Sequence, residues 1–338
     1  MNGSPQNRPA LLVTIDTEPD DEWSGTPDVT LENIRRIPRL QELLDRHGVR
    51  PTYFVSYQVA ANPDAAAVLR RIHDDGRCEI GAHLHAWRTP PHHELPGSAP
   101  GSHPYLYQFP PDVQRAKFGT LHRALVDVFA APPTSHRAGK YGLDGRGVRL
   151  LAEFGYTVDS SVTPMTSWAD DVQLGVAGPD FRRAPIGAYE LSEHDPARPG
   201  RAGVTEVPVS VGLTRRLPRL LERRIAAAGR FNLPVRLIGR ALGVRKRWFR
   251  PFLHVPLQEI EDAASWLVAR GVGFLNMMFH SSELIPNSKW CRTEAQVDEF
   301  VDRIERLVGC ALRLGCAPGL TISEFASGRP PGGEGRRP

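Results

Sequence analysis

The sequence predicts an α/β protein, a single distorted (β/α) barrel of about seven strands with helical insertions. Three observations carry this. Short apolar runs rich in branched residues alternate with helical patterns from residue 11 to residue 324, the rhythm of a parallel sheet with strands buried on both faces. No repeat period divides the 338 residues, so one barrel-like sheet explains the alternation better than two open ones. Polar clusters fall where the strands end, the rim on which an α/β barrel builds its chemistry.

Residues 11–15 form the first strand, which runs into Asp16, Thr17 and Glu18. A helical pattern over 31–46 stops at His47-Gly48. Then follow a strand at 52–55, a helix over 64–75, a strand at 78–85, a helix over 111–129, a strand at 134–138, a helix over 146–154 and a strand at 156–162. A polar, Pro-rich stretch interrupts the rhythm before a strand at 204–211. Beyond a basic segment come a helix at 259–270, a strand at 273–279, a helix at 295–314 and a last strand at 320–324. The whole reads as one domain, 1–328, with insertions at about 163–203 and 212–255. The tail, 329–338, has no means of packing and is predicted to be disordered.

Composition narrows the function classes. With 41% hydrophobic and 24% charged residues, the chain is neither collagen-like, nor wholly disordered, nor a disulfide scaffold. Its apolar runs fall short of the roughly 18 residues that span a bilayer, and its first ten residues lack the apolar stretch of a secretory signal, which predicts a cytoplasmic protein. Cys78, Cys291, Cys310 and Cys316 have no metal-finger spacing and are expected to be reduced and buried. A net charge of +4 gives no ground for a nucleic-acid partner. The charge is nonetheless lopsided: residues 215–250 hold twelve Lys and Arg against Glu222 alone, about +11, leaving about −7 on the remainder.

The chemistry gathers at strand ends. Asp16 and Glu18 are two residues apart on an extended segment and face the same side, as do His83 and His85. A carboxylate with two imidazoles is a three-ligand set for Zn2+ or a similar divalent cation, and the second carboxylate is a candidate base. Read singly, these residues have plainer roles: the acids as caps or partners of Arg35 or Arg36, His85 as an ordinary hydrogen-bonded histidine beside Trp87. The rest of the pattern favours a site. Arg137 ends a third strand before the turn Gly139-Lys140-Tyr141-Gly142, Asp159 ends a fourth, and Phe279-His280-Ser281-Ser282 ends a late one.

With these motifs in this order, the sequence resembles the NodB-homology polysaccharide deacetylases, from about residue 11 to residue 324. It departs from their commonest form twice. A Thr-Phe-Asp-Asp-Gly start is replaced by Thr14-Ile15-Asp16-Thr17-Glu18, and a His-x-x-x-His becomes His83-Leu84-His85, with Trp87 at the usual second-histidine position. A branch associated with bacterial surface-glycan gene clusters shares the Asp-x-Glu, His-x-His and Phe-His-Ser-Ser forms. The resemblance implies a distorted barrel that uses a divalent metal, Zn2+ first among candidates, to remove acyl groups from amino sugars. It makes Asp16 the base toward the metal's water and Glu18 a metal ligand, roles the shifted spacing leaves exchangeable. It makes His83 and His85 the other ligands, with His92 or His93 as alternatives to the latter. Arg137 would orient the base, the backbone at Lys140 and Tyr141 would stabilise the oxyanion with Trp87 near the substrate, His280 would be the general acid, and Asp159 would hold its imidazole.

Other relatives on this fold act on formyl groups or cyclic amides, and a catalytically weak carbohydrate-binding scaffold is the reading from a different class. The basic segment bears on the substrate. Leu and Ile stripes beside its arginines, followed by Trp248, Phe249 and Phe252, resemble interfacial helices, against the alternative of two amphipathic helices packed on the barrel. Residues 215–252 are therefore expected beside the barrel mouth, meeting an anionic membrane at its inner face or an anionic carrier of the sugar, nucleotide-linked or lipid-linked.

Overall fold

The strands at 10–17, 52–55 and 274–280 form because apolar runs are covered on both sides. The computed structural model describes residues 8–22, 29–99, 101–228 and 232–328; the predicted tail, 329–338, lies outside them. β1 (Ala10–Thr17) is buried along its whole length. It pairs in parallel with β2 (Thr52–Val55), and the sheet continues through β3 (Glu79–Leu84), β4 (Ser135–Ala138) and β5 (Val158–Asp159). β6 (Tyr189–Glu190) and β7 (Thr205–Glu206) form the far edge, where β6 is antiparallel. β8 (Val211–Leu213) and β9 (Lys246–Trp248) make a separate antiparallel pair. β10 (Phe274–His280) returns beside β1, giving the order β10-β1-β2-β3-β4-β5-β7-β6.

The barrel is closed by irregular chain. Val207 N donates to Asp159 O at 2.8 Å, Val209 N to Val162 O at 3.1 Å and Ser210 N to Asn276 O at 3.2 Å, so residues 207–210 bridge β5 and β10. This resolves the strand expected at 204–211. Pro208 has no N–H to give a ladder, and the run splits into β7 and β8. The strand expected at 156–162 is shortened to β5, its end being taken up by side-chain bonds of Ser160 and Ser161.

Helices α1 (Ile37–Arg46), α2 (Tyr57–Ala60), α3 (Pro63–Asp74), α4 (Pro111–Phe129) and α5 (Gly145–Glu153) alternate with these strands. The predicted helix at 31–46 becomes a 3-10 turn at Glu32–Arg36 followed by α1, the change falling at Pro38 in the first helical turn. Asn62 caps α3 by accepting from Asp64 N and Ala65 N. A hairpin of α6 (Arg219–Ala227) and α7 (Leu233–Ala241) joins β8 to β9, and α8 (Leu257–Ala269) and α9 (Glu294–Arg313) flank β10. The last predicted strand, 320–324, is instead α10 (Ile322–Ala326): Thr321 and Glu324 form a capping box, and Arg50 Nη1 clamps both Glu324 oxygens at 2.7 and 2.8 Å. All four cysteines are buried and free. Among the described residues, no helix is long and apolar enough to cross a membrane.

Candidate active site

Strand alternation turns Thr14, Asp16 and Glu18 inward from β1 and its end, and His83 and His85 inward from β3 and its end. Ligand atoms of Glu18, His83 and His85 lie within 4.8 Å of one another, and all three residues are buried. Glu18 Oε2 is 3.6 Å from His83 Nε2 and 3.3 Å from His85 Nε2. The far side of each ring is held: His83 Nδ1 lies 2.9 Å from the Arg137 carbonyl, and His85 Nδ1 lies 2.9 Å from Glu22 Oε1. Both outer partners are acceptors, so each Nδ1 carries a proton and each Nε2 faces Glu18. Neither Glu18 oxygen has a hydrogen bond among the described residues. Two imidazole nitrogens and a carboxylate without a hydrogen bond, converging in a buried space, call for a cation between them, and with a divalent one they are a zinc-type donor set complete with its outer partners. Burial opposes charge on Glu18, but the neighbouring imidazoles outweigh it and lower its pKa.

Glu22 escaped the sequence reading; its signal is its place four residues after Glu18. Burial opposes charge on His85, yet Glu22 and then Glu18 raise its pKa. Trp87 stacks on the far face of His85, 4.6 Å between centroids and 13° between planes. Gly139 allows the next turn to pass: a Cβ there would stand 2.4 Å from His85 Cδ2. The alternatives His92 and His93 are exposed, outside the cluster. The plainer partners of the acids are also excluded, since Arg35 pairs with Glu32 and Arg36 with Glu294.

Arg137 is fully buried and spends its guanidinium inside the barrel. Nη1 donates to Asp16 Oδ1 at 2.6 Å, Nε to Ser160 O at 2.8 Å, and Nη2 to Thr14 Oγ1 and Ser160 Oγ at 2.8 and 2.9 Å, over the Phe54 ring. Burial alone would raise the Asp16 pKa; Arg137, with His83 and His280, brings it down to about 2. The other oxygen, Oδ2, is left 3.8 Å from both His83 Nε2 and His280 Nε2.

His280 is not held by Asp159. Its Nδ1 is 2.9 Å from Arg250 Nη2 and 3.4 Å from Glu283 Oε1, and the same Glu283 oxygen accepts from Arg250 at 2.7 Å and from His280 N at 2.9 Å. Trp290 stacks on the ring at 8°. An arginine only donates, so Nδ1 of the neutral ring accepts and the ring proton is on Nε2, toward Asp16. Arg250 was hidden in the basic run, although it is buried. Glu283 had a signal in its spacing of three from His280, which closes a capping box.

Asp159 points the other way because it is in register with His136, on the outer face, and not with Arg137. Its Oδ1 lies 2.7 Å from His136 Nδ1. Burial, then Asp159, raise the pKa of the adjacent Glu206 well above its ordinary 4.5, while Glu206 Oε1 accepts from Val162 N at 3.0 Å. A carboxyl raised in this way contributes stability that is complete below its unfolded pKa and is lost as pH rises through the folded one. Glu206→Gln therefore gains stability relative to wild type as pH is raised from about 5 to about 9, read as urea midpoints across that range. A difference that is flat or falls with pH would mean Glu206 is already ionised in the fold.

Asp16, His83 and His280 open into a cavity of about 560 Å3 lined also by Lys140, Tyr141, Arg250 and Trp290. Tyr141 stacks on Trp168, and Trp248 meets both edge-on. Lys140 and Tyr141 are both in the left-handed region, at φ 56° and 58°, a strained pair tied down by Lys140 Nζ on Asp171 Oδ2 at 3.0 Å. Trp87, expected near the substrate, is not among the lining residues; it backs His85 instead.

No protein-family model and no curated protein matches the chain. Solved structures do. A protein from Mycobacterium smegmatis assigned as a polysaccharide deacetylase aligns over 100% of this chain and 97% of its own, with 17% identity and a TM-score of 0.50. One from Parabacteroides distasonis assigned as a glycoside hydrolase/deacetylase aligns over 96% and 72%, with 14% identity and a TM-score of 0.59. The chain has the NodB-type polysaccharide deacetylase fold. That fold has other occupants: a 4-alpha-glucanotransferase from Thermococcus litoralis aligns over 94% of this chain and 40% of its own, with 12% identity and a TM-score of 0.51. In the deacetylase-type fold of this chain, the inward strand ends meet at Asp16, His83 and His280.

Proposed function

We propose that this protein is a divalent-metal hydrolase that removes an N-acyl group, in the first instance N-acetyl, from an amino sugar of a surface glycan or its precursor. The observation that carries the reading is the convergence of Glu18, His83 and His85 beside an Arg137-bound Asp16, with His280 across one cavity. The likeness to proteins assigned as deacetylases points the same way. Glycosyl transfer fits less well, because it calls for two free carboxyl groups flanking the sugar bond. The other acid lining the cavity, Asp171, is paired with Lys140.

Glu18, His83 and His85 would hold the metal, with Zn2+ the best match to one carboxylate and two imidazoles. When bound, such a cation supplies a water acidified from about 15.7 to near 7 and a positive charge beside the developing oxyanion. Asp16 stays ionised at any working pH and accepts a proton through Oδ2 while Arg137 fixes Oδ1. The turn at Lys140 and Tyr141 offers backbone to the oxyanion, and the aromatic walls exclude water. His280 gives its proton to the departing amine. Its Nδ1 has an acceptor in Glu283 when the ring is charged and a donor in Arg250 when it is neutral, so the imidazole is held before and after the transfer.

The test is mass analysis of products from a panel of N-acetylated and N-formylated amino sugars, free, nucleotide-linked and lipid-linked, with and without chelator. Loss of about 42 Da from an acetylated member, abolished by chelation, is expected on this chemistry. Loss of a formyl group alone would redirect the reading to a deformylase. Binding without turnover would leave a carbohydrate-binding scaffold.

A further inference from the structure

We infer that the α6–α7 hairpin docks on an anionic bilayer and so presents the catalytic cavity to a lipid-anchored sugar; the sugar rests on the deacylase reading above, the docking does not. The hairpin has two apolar faces. On the inner one, Leu217, Ile225 and Ala226 pack on the core. The buried Glu222 accepts from Trp266 Nε1 at 3.0 Å and from Leu217 N at 2.8 Å, and pairs with Arg270. Outward, Leu220 on α6 and Leu233, Leu237, Ile238 and Leu242 on α7 are 40–76% exposed and are all the exposed leucines and isoleucines among the described residues; Leu233 and Leu237 border a cavity of about 560 Å3 that Arg240, Arg245 and Arg247 also line.

Charge identifies what covers that outer face. Arg215, Arg216, Arg219, Arg223, Arg224 and Arg240, on the same helices and the chain leading into them, are exposed, and the segment's one acid is buried. A second copy of the chain would bring these arginines against their own kind in a two-fold contact. An anionic bilayer answers both features, apolar side chains entering the headgroup boundary and guanidinium groups meeting phosphate, each nearby cation strengthening partitioning about fivefold.

The hairpin is also wired to the site. β8 leaves and β9 returns in register, Val211 opposite Trp248 and Leu213 opposite Lys246. Trp248 lines the catalytic cavity, as do Arg250 and Phe252 just beyond it. Between α6 and the chain at Arg182 and Arg183 lies a further cavity, of about 800 Å3, lined also by Arg219, Arg223 and the exposed Leu220, a cationic trough suited to headgroup phosphates.

The full chain is sedimented with vesicles of phosphatidylcholine alone and of phosphatidylcholine with phosphatidylglycerol, at about 0.1 M and about 1 M salt, between which the Debye length falls from about 10 to about 3 Å. Binding to the anionic vesicles at low salt, at least tenfold weaker at high salt and with neutral lipid, is expected. Leu237→Glu with Ile238→Glu, and separately Arg223→Glu with Arg224→Glu, each lower it at least tenfold and leave turnover of a soluble substrate unchanged. Equal binding to both vesicles, or none to either, overturns the inference. So does a concentration-dependent dimer in light scattering that the Leu237 and Ile238 changes dissolve, since a second copy would then own the face. Vesicle binding without any deacylase activity would sink the deacylase reading and leave the docking standing.

Discussion

Asp16→Asn lowers kcat by about 10³-fold, inside the 10²–10⁴ range of a positioned base, with a much smaller change in KM. The amide is close to isosteric, so its oxygen still accepts from Arg137 Nη1, but it cannot take a proton through the position of Oδ2. The loss therefore falls on the transition state and not on binding. Unfolding midpoints and metal content serve as controls, because the change also leaves the buried Arg137 without its counter-charge. His280→Ala produces a loss of the same order by removing the proton the amine needs. If His280→Ala keeps near-normal turnover across pH while Asp16→Asn does not, the acid lies elsewhere in the cavity, with the Tyr141 hydroxyl, which lines it, a group to test.

Metal removal has the second large effect. The purified protein is expected to hold about one equivalent of divalent metal by elemental analysis, and stripping it with chelator abolishes turnover. Alanine at Glu18, His83 or His85 removes a donor from a set of three and is expected to empty the site. Glu22→Ala keeps the set but frees the His85 ring, and lowers metal affinity by about 10–100-fold. Thermal stability reports the same equilibrium without any substrate: a ligand at about 1,000 times its dissociation constant adds about 4 kcal/mol to the folded state. The donor-deleted variants lose that increment. Metal retained at full stoichiometry after His85→Ala would take His85 out of the set.

How much of this was legible depended on range. Asp16 with Glu18, and His83 with His85, were readable because each pair lies on one extended segment, where spacing alone fixes the shared direction. Arg137 was readable from its place at a strand end. Asp159 was misassigned because one residue of register separates the inner face from the outer one, and register belongs to the partner strand, not to the local sequence. Arg250 was invisible for a different reason: eleven other basic residues between 215 and 250 disguise one that is buried beside His280 and Glu283. The strand expected at 320–324 failed locally, where a Thr321–Glu324 cap outweighed an alternation of only two apolar residues, Leu320 and Ile322.

The hydroxyl of Thr14 meets the side chain of Asn276 across 262 positions of chain, and β1 has β10 as one of its two neighbours. On a ribosome adding 5–20 residues per second, β1 waits roughly 15–50 s for that neighbour. Its apolar edge needs shelter in the interval, and His280 arrives only with the end of β10. On the proposed assignment of roles, the nascent chain carries every metal donor early but gains its acid late, so turnover would itself report that synthesis has run to the end of the barrel.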